Sequence, residues 1–375
     1  MAIGKLKIGD KIARLPIIQG GMGVGVSRSS LAGAVAAAGG VGIISTAQIG
    51  YDEEGFEQDP AGCNLRAIRK HIARAKKIAT DQLGKCAGLV GVNVMVALKH
   101  YREHVRAAVA AGADVVICGA GLPMDLPELV EGSGTKIAPI VSSARACKLI
   151  LKQWAHKYNR TTDFIVVEGP AAGGHLGFHL DQLEEYGYVG NLDEAKEAEA
   201  HNVEQAAVDG EIQKIVELKK EYEEEFQCHI PVIIAGGVYE HSDVEHALEL
   251  GAEGVQVASR FVATYECDAS DAYKQAYLNA DEKDVMIIKS PVGLPGRALH
   301  NQFVNRAEAG KCPIKKCYQC LEKCNPAKVP YCITKALVDA VKGDTENGLV
   351  FCGANVGKIH KMMHVKDLMN ELAGV

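Results

Sequence analysis

The sequence predicts an α/β fold: a (β/α)8 TIM barrel with a helical insertion after its sixth strand and a cysteine-rich C-terminal extension. Three observations lead there. Eight short β-rich apolar runs alternate with helical stretches, the pattern of a parallel sheet. Several runs are apolar at consecutive positions, as strands buried on both faces must be. Three helices end alike before the next strand, at Ala38-Gly39-Gly40-Val41, Ala111-Gly112-Ala113-Asp114 and Leu250-Gly251-Ala252-Glu253. Each places a Gly where a helix C-cap needs a left-handed residue. This echo fits repeated βα units, and it also fits a doubly wound sheet.

The strands are expected at residues 15–18, 41–45, 89–95, 114–118, 136–141, 163–168, 231–235 and 253–258. Helices are expected between them, such as 29–38, with Ser27, Ser29 and Ser30 as N-cap candidates, and 100–111. Residues 179–229 are rich in Glu and Lys, and 211–226 read as an amphipathic helix with a solvated face. This region is an insertion, serving as a lid, as an oligomer contact such as that of a homodimer, or as a solvated decoration. Residues 307–332 form an irregular Cys-, Lys- and Pro-rich loop feeding a last helix at 333–342. The expected organisation is a barrel over 1–306, with a Cys-rich segment and C-terminal helices over 307–375 packing on it.

Composition narrows the function classes. With 375 residues, 47% hydrophobic and 23% charged, the chain reads as a globular protein with a large core. A net charge of −6 argues against a nucleic-acid binder, which needs a basic face. Residues 1–12 carry lysines but no apolar core of a secretory signal, and the longest apolar stretches are far short of a bilayer span. A cytoplasmic, non-membrane protein is expected. Its 12 cysteines then read as thiols or metal ligands, not a disulfide framework.

Three motifs carry chemistry. Gln19-Gly20-Gly21-Met22-Gly23 follows the first strand, where glycines let the backbone approach a flat cofactor, or simply make a tight turn. The glycines at 20, 21, 23 and 25 do not fit the dinucleotide pattern, and no strand-ending acid follows, which sets a Rossmann domain aside. The second motif runs from Glu168-Gly169-Pro170 to Gly173-Gly174-His175-Leu176-Gly177. His175 is placed at a strand end where barrel active sites lie, flanked by glycines that give it little cover. The third pairs Ala235-Gly236-Gly237-Val238 with Gln256-Val257-Ala258-Ser259-Arg260. Loops after strands seven and eight commonly form a phosphate site. Arg260 could contribute charge there or be an ordinary ion-pairing residue.

On these residues, together with Gly91-Val92-Asn93-Val94, Gly119-Ala120-Gly121 and 343–353, the chain resembles the nitronate monooxygenase (2-nitropropane dioxygenase) family. That family includes the FMN-dependent enoyl-acyl-carrier-protein reductases. The resemblance implies a barrel with non-covalent FMN. It implies that Gly21, Met22 and Asn93 lie against the flavin and that Gly236, Gly237, Gln256, Val257, Ala258 and Ser259 hold its phosphate and ribityl chain. His175 matches the active-site histidine. The first reading is a monooxygenase converting alkyl nitronates and O2 to carbonyl compound and nitrite. The alternative is an NAD(P)H enoyl-thioester reductase, for which Lys311 to Lys323 and Arg297 to Arg306 are a candidate basic patch for an acidic carrier. A non-catalytic flavin- or metal-sensing protein is the third.

Cys312, Cys317, Cys320, Cys324 and Cys332 are separated by four, two, three and seven residues. Thiolates this close can wrap zinc or an iron–sulfur cluster, with Lys311, Lys315, Lys316 and Lys323 offsetting charge. The spacing matches neither zinc ribbons nor the ferredoxin run, so reduced thiols packed in a loop are the leading reading.

Overall fold

The computed structural model describes every residue except 1–2, 84–85, 190–193 and 311. Lys311 and part of the expected insertion therefore lie outside the described residues. A hairpin of β1 (Leu6–Ile8) and β2 (Lys11–Ala13) precedes β3 (Ile17–Gln19), β4 (Val41–Ser45), β5 (Leu89–Met95), β6 (Val115–Gly119), β7 (Lys136–Val141) and β8 (Ile165–Glu168). Then come β9 (Gly174–His175), β10 (Val232–Ala235), β11 (Gly254–Val257), β12 (Val285–Lys289) and β13 (Pro295–Leu299).

Strands β3 to β8, β10 and β11 close into a parallel barrel, with β11 pairing β3. These are the eight strands expected, each within two residues of its predicted start. The barrel interior is a packed core. Val41, Leu89, Val115 and Phe164, at or just before strand starts, cluster with Leu6, Ile8 and Ala13 of the hairpin. The hairpin thus plugs the N-terminal mouth, where burying Leu6 and Ile8 contributes roughly 1.5–3 kcal/mol each. The opposite mouth is left for a site.

Gly39, Gly112 and Gly251 all have positive φ, at 99°, 75° and 92°, which bears out the helix-end reading. The N-cap reading of helix Ser29–Ala37 does not hold. Its N-cap is Arg28, with no side-chain cap of its own. The Asp268 carboxylate instead accepts from Arg28 N, Ser30 N and Leu31 N at 2.9–3.2 Å. A carboxylate at a helix N-terminus satisfies orphan donors and complements the helix dipole, so a residue remote in sequence displaces the local serines.

The helix after the His175 loop, residues 169–177, runs over Glu194–Phe226, longer than expected because its Ala- and Glu-rich start has high helix propensity without an apolar stripe. Ile212, Ile215, Leu218 and Tyr222 are buried at helical spacing, and Glu211 Oε2 accepts from Ala144 N at 2.7 Å. This half is thus the barrel's own crossover between β8 and β10. A three-stranded antiparallel sheet, β12-β13-β9, was not foreseen, and its β9 carries Gly174 and His175. Among the described residues no helix is long and apolar enough to cross a membrane.

Candidate active site

A cavity of about 390 Å³ opens at the C-terminal ends of the barrel strands, within the size range of small-ligand and cofactor pockets. Gly21, Met22, Asn93, His175, Gly236, Gly237, Gln256, Val257, Ala258 and Ser259 all line it. Residues up to 238 positions apart in the chain are therefore brought to one surface.

One end is built from backbone. Gly236 and Gly237 adopt φ of +88° and +93°, and a Cβ on Gly236 would stand 2.7 Å from Gly169 O. Only glycine fits such a turn without strain. Asn355 Nδ2 donates to Gly237 O at 2.7 Å, fixing the turn from outside. Ser259 Oγ accepts from Gly353 N at 2.9 Å, so its own proton can be offered to an anion. Arg260 does not serve the cavity by charge. It donates to Tyr239 O at 2.7 Å and to Glu371 Oε1 at 2.8 Å, which makes it the ion-pairing residue of the two readings.

The other end holds His175. It sits on β9, opposite Gly296 of β13, with Nε2 2.7 Å from Ser290 Oγ and its ring edge-on to Phe351 at 4.9 Å. The expectation of a ring with little cover is corrected: the glycines give none, but β12, β13 and Phe351 do. Burial lowers its pKa to about 4, so the imidazole is neutral. Val292 N donates to Ser290 Oγ at 3.3 Å. The hydroxyl can then donate its proton to Nε2, with the ring proton on Nδ1, or accept a second hydrogen bond from Nε2–H.

Two further groups were named in the sequence reading without the roles they have here. Glu168, at the end of β8, lines the cavity, and burial raises its pKa to about 8 against the smaller opposing pull of Arg297. It was visible as a strand-ending acid, but nothing local marked it as neutral. Arg297 is 1% exposed. It donates through Nη1 to Pro170 O, at 2.7 Å, and to Ala172 O, with Tyr188 stacked on its guanidinium. It therefore pins the active-site loop and cannot belong to a surface basic patch, as had been expected.

In the cysteine segment all thiols are free. Among the described residues no group of three or more His, Cys, Asp or Glu side chains is arranged to hold a metal ion, so the zinc reading has no preformed site. Cys317, Cys320, Cys324 and Cys332 nevertheless line one cavity of about 200 Å³, which Cys312 does not reach. Lys316 is engaged with Glu57 at 2.5 Å.

Comparison with known proteins agrees with this architecture. The probable nitronate monooxygenase of Bacillus subtilis (strain 168) is 25% identical over 57% of this chain and 51% of that protein, so the match spans about half that relative's length. The fold is shared with FabK from Thermotoga maritima, at 24% identity, a TM-score of 0.67, and coverage of 96% of this chain and 91% of that one. Nitroalkane oxidase from Streptomyces ansochromogenes matches at 19% identity and a TM-score of 0.66, covering 96% and 95%. The nitronate monooxygenase family model matches residues 6–374; the chain belongs to that family of oxidoreductases.

Proposed function

We propose that the protein is an FMN-dependent nitronate monooxygenase, converting alkyl nitronates and O2 to a carbonyl compound and nitrite. The observation that carries this reading is a neutral His175, held at Nε2 by Ser290, on a cavity that the positive-φ turn Gly236-Gly237 also lines. FMN fits that cavity. Gly236, Gly237, Gln256, Val257, Ala258 and Ser259 would hold its phosphate and ribityl chain, while Gly21, Met22 and Asn93 would lie against the ring. When bound, the flavin supplies the electron acceptor.

The protein's own part is binding and orientation. Nδ1–H of His175 donates to a nitronate oxygen, and Phe351 and the loop pinned by Arg297 keep the ring aimed at it. A pKa of about 4 makes His175 a weak base, so an anionic nitronate, needing no deprotonation, suits the site better than a neutral nitroalkane. The same value makes it a weak proton donor at neutral pH, which disfavours an enoyl-thioester reductase relying on it to protonate carbon. O2 and the small-molecule nitronate are the partners this reading needs.

The test is purification with FMN, then O2 uptake and nitrite release with an alkyl nitronate, beside NADH or NADPH oxidation with an enoyl thioester. Nitronate turnover without rapid flavin bleaching by NAD(P)H is expected. Rapid bleaching with no nitrite would replace this reading by the reductase.

A further inference from the structure

We propose that Cys317, Cys320, Cys324 and Cys332 form a four-thiolate site for an iron–sulfur cluster. The placement is not a consequence of spacing alone. The four thiols, separated by two, three and seven residues, line the same cavity of about 200 Å³. Admitting one water takes only about 10–15 Å³ of such space, so the cavity is larger than a single ion requires. Zinc draws four sulfurs to about 2.3 Å from one point, and among the described residues no three such side chains converge that way. A cluster spreads its thiolates over separate irons, which suits thiols that ring a hollow.

The segment also carries little regular secondary structure. No helix or strand lies between Gln302–Glu308 and Ile333–Val341 among the described residues, and structureless loops beyond about 12–15 residues are uncommon in compact domains unless functional. Its main-chain ties to the barrel include Lys99 N to Cys320 O, at 3.1 Å, and Glu322 N to Ala97 O, at 3.0 Å. Ligation by four cysteines would add a staple to these ties, since metal binding becomes folding energy.

The site would also reach the active-site cavity. Cys332 N-caps helix Ile333–Val341, whose Leu337 lines the main cavity, five residues or about 7.5 Å of helix rise away. Tyr331, beside Cys332, donates to Lys289 O at 3.1 Å, next to Ser290, the partner of His175.

The experiment uses the full chain purified anaerobically, analysed for iron, acid-labile sulfide and zinc, and again after incubation with ferrous iron and sulfide. Iron and sulfide in about equal amounts are expected, with hydrogen exchange over 312–332 slower than in the metal-free protein. C312S and C228S should keep the cluster; C320S and C324S should lose it. If those two variants are insoluble, the metal content of the unaltered chain decides alone. Zinc as the sole metal, or no iron before and after reconstitution, overturns the proposal, as does full iron content in C320S and C324S.

Discussion

Replacing Gly236 with Ala perturbs the turn assigned to the phosphate. Its φ of +88° lies where an L-residue costs roughly 1–2 kcal/mol. The added Cβ would also stand 2.7 Å from Gly169 O and 3.1 Å from Ala172 Cβ and N, closer than real Cβ atoms approach a carbonyl. Overpacking of this kind costs roughly 1–3 kcal/mol. The two strains relax together and are not additive, so about 2–4 kcal/mol is expected. Relief requires the 235–237 turn or the 169–172 loop to shift, and both border the cavity. Thermal unfolding of the FMN-free protein should therefore fall by at least several degrees, at roughly 2–4 °C per kcal/mol. FMN affinity, read by flavin fluorescence titration, should weaken tenfold or more, since each factor of ten is about 1.4 kcal/mol. A G236A protein that binds FMN like the unaltered chain would refute the assignment of this turn to the phosphate.

Other predictions rest on separate contacts. S290A leaves His175 Nε2 without its hydroxyl partner, an omission worth roughly 1–3 kcal/mol. Nitronate kcat/KM should drop about 5- to 100-fold, with S290T largely restoring it and nitrogen NMR showing loss of the single Nδ1–H tautomer in S290A; an unshifted spectrum would remove Ser290 from the account. Glu168 has a folded pKa of about 8 against an ordinary 4.5, so the folded state holds the extra proton between those values. Stability of the FMN-free protein should fall as pH rises from about 4.5 to about 8, and E168Q should flatten that slope. His175 acts oppositely: its pKa is lowered from 6.5 to about 4, so its contribution is complete above pH 6.5 and is lost as pH falls toward 4. H175N should reduce this acid-side dependence in urea melts by its own share, since His71 and His104 are lowered to about 4 as well. Gly210 sits inside helix Glu194–Phe226 with open space around its Cβ position, so G210A should stabilise the protein by roughly 0.5–1 kcal/mol; a loss of stability in urea melts would count against that helix.

The cavity ties together elements that do not fold locally. Arg297 pins two carbonyls of the active-site loop from β13, and Tyr188, stacked on that guanidinium, donates to Glu204 of the long helix at 2.8 Å. The region read as an inserted lid or contact is therefore anchored to the active-site loop through a buried cation. Removing a partner of such a cation leaves a charge uncompensated in low dielectric.

By itself the sequence determined the eight barrel strands, the glycine turns and the position of His175. Their signals are local: consecutive apolar residues mark a doubly buried strand, and a glycine before a strand marks a left-handed helix end. Tertiary structure alone decided the chemistry around those positions. Asp268 caps a helix about 240 residues away, Ser290 holds the histidine Nε2, and β13 covers a ring that its own neighbours leave bare. Glu168 looks like any acid at a strand end until burial keeps it neutral. Desolvation and hydrogen-bond partnership depend on what the closed barrel brings near, and the order of residues along the chain does not encode that locally. The barrel mouth was legible in the sequence; the charge state of the groups inside it was not.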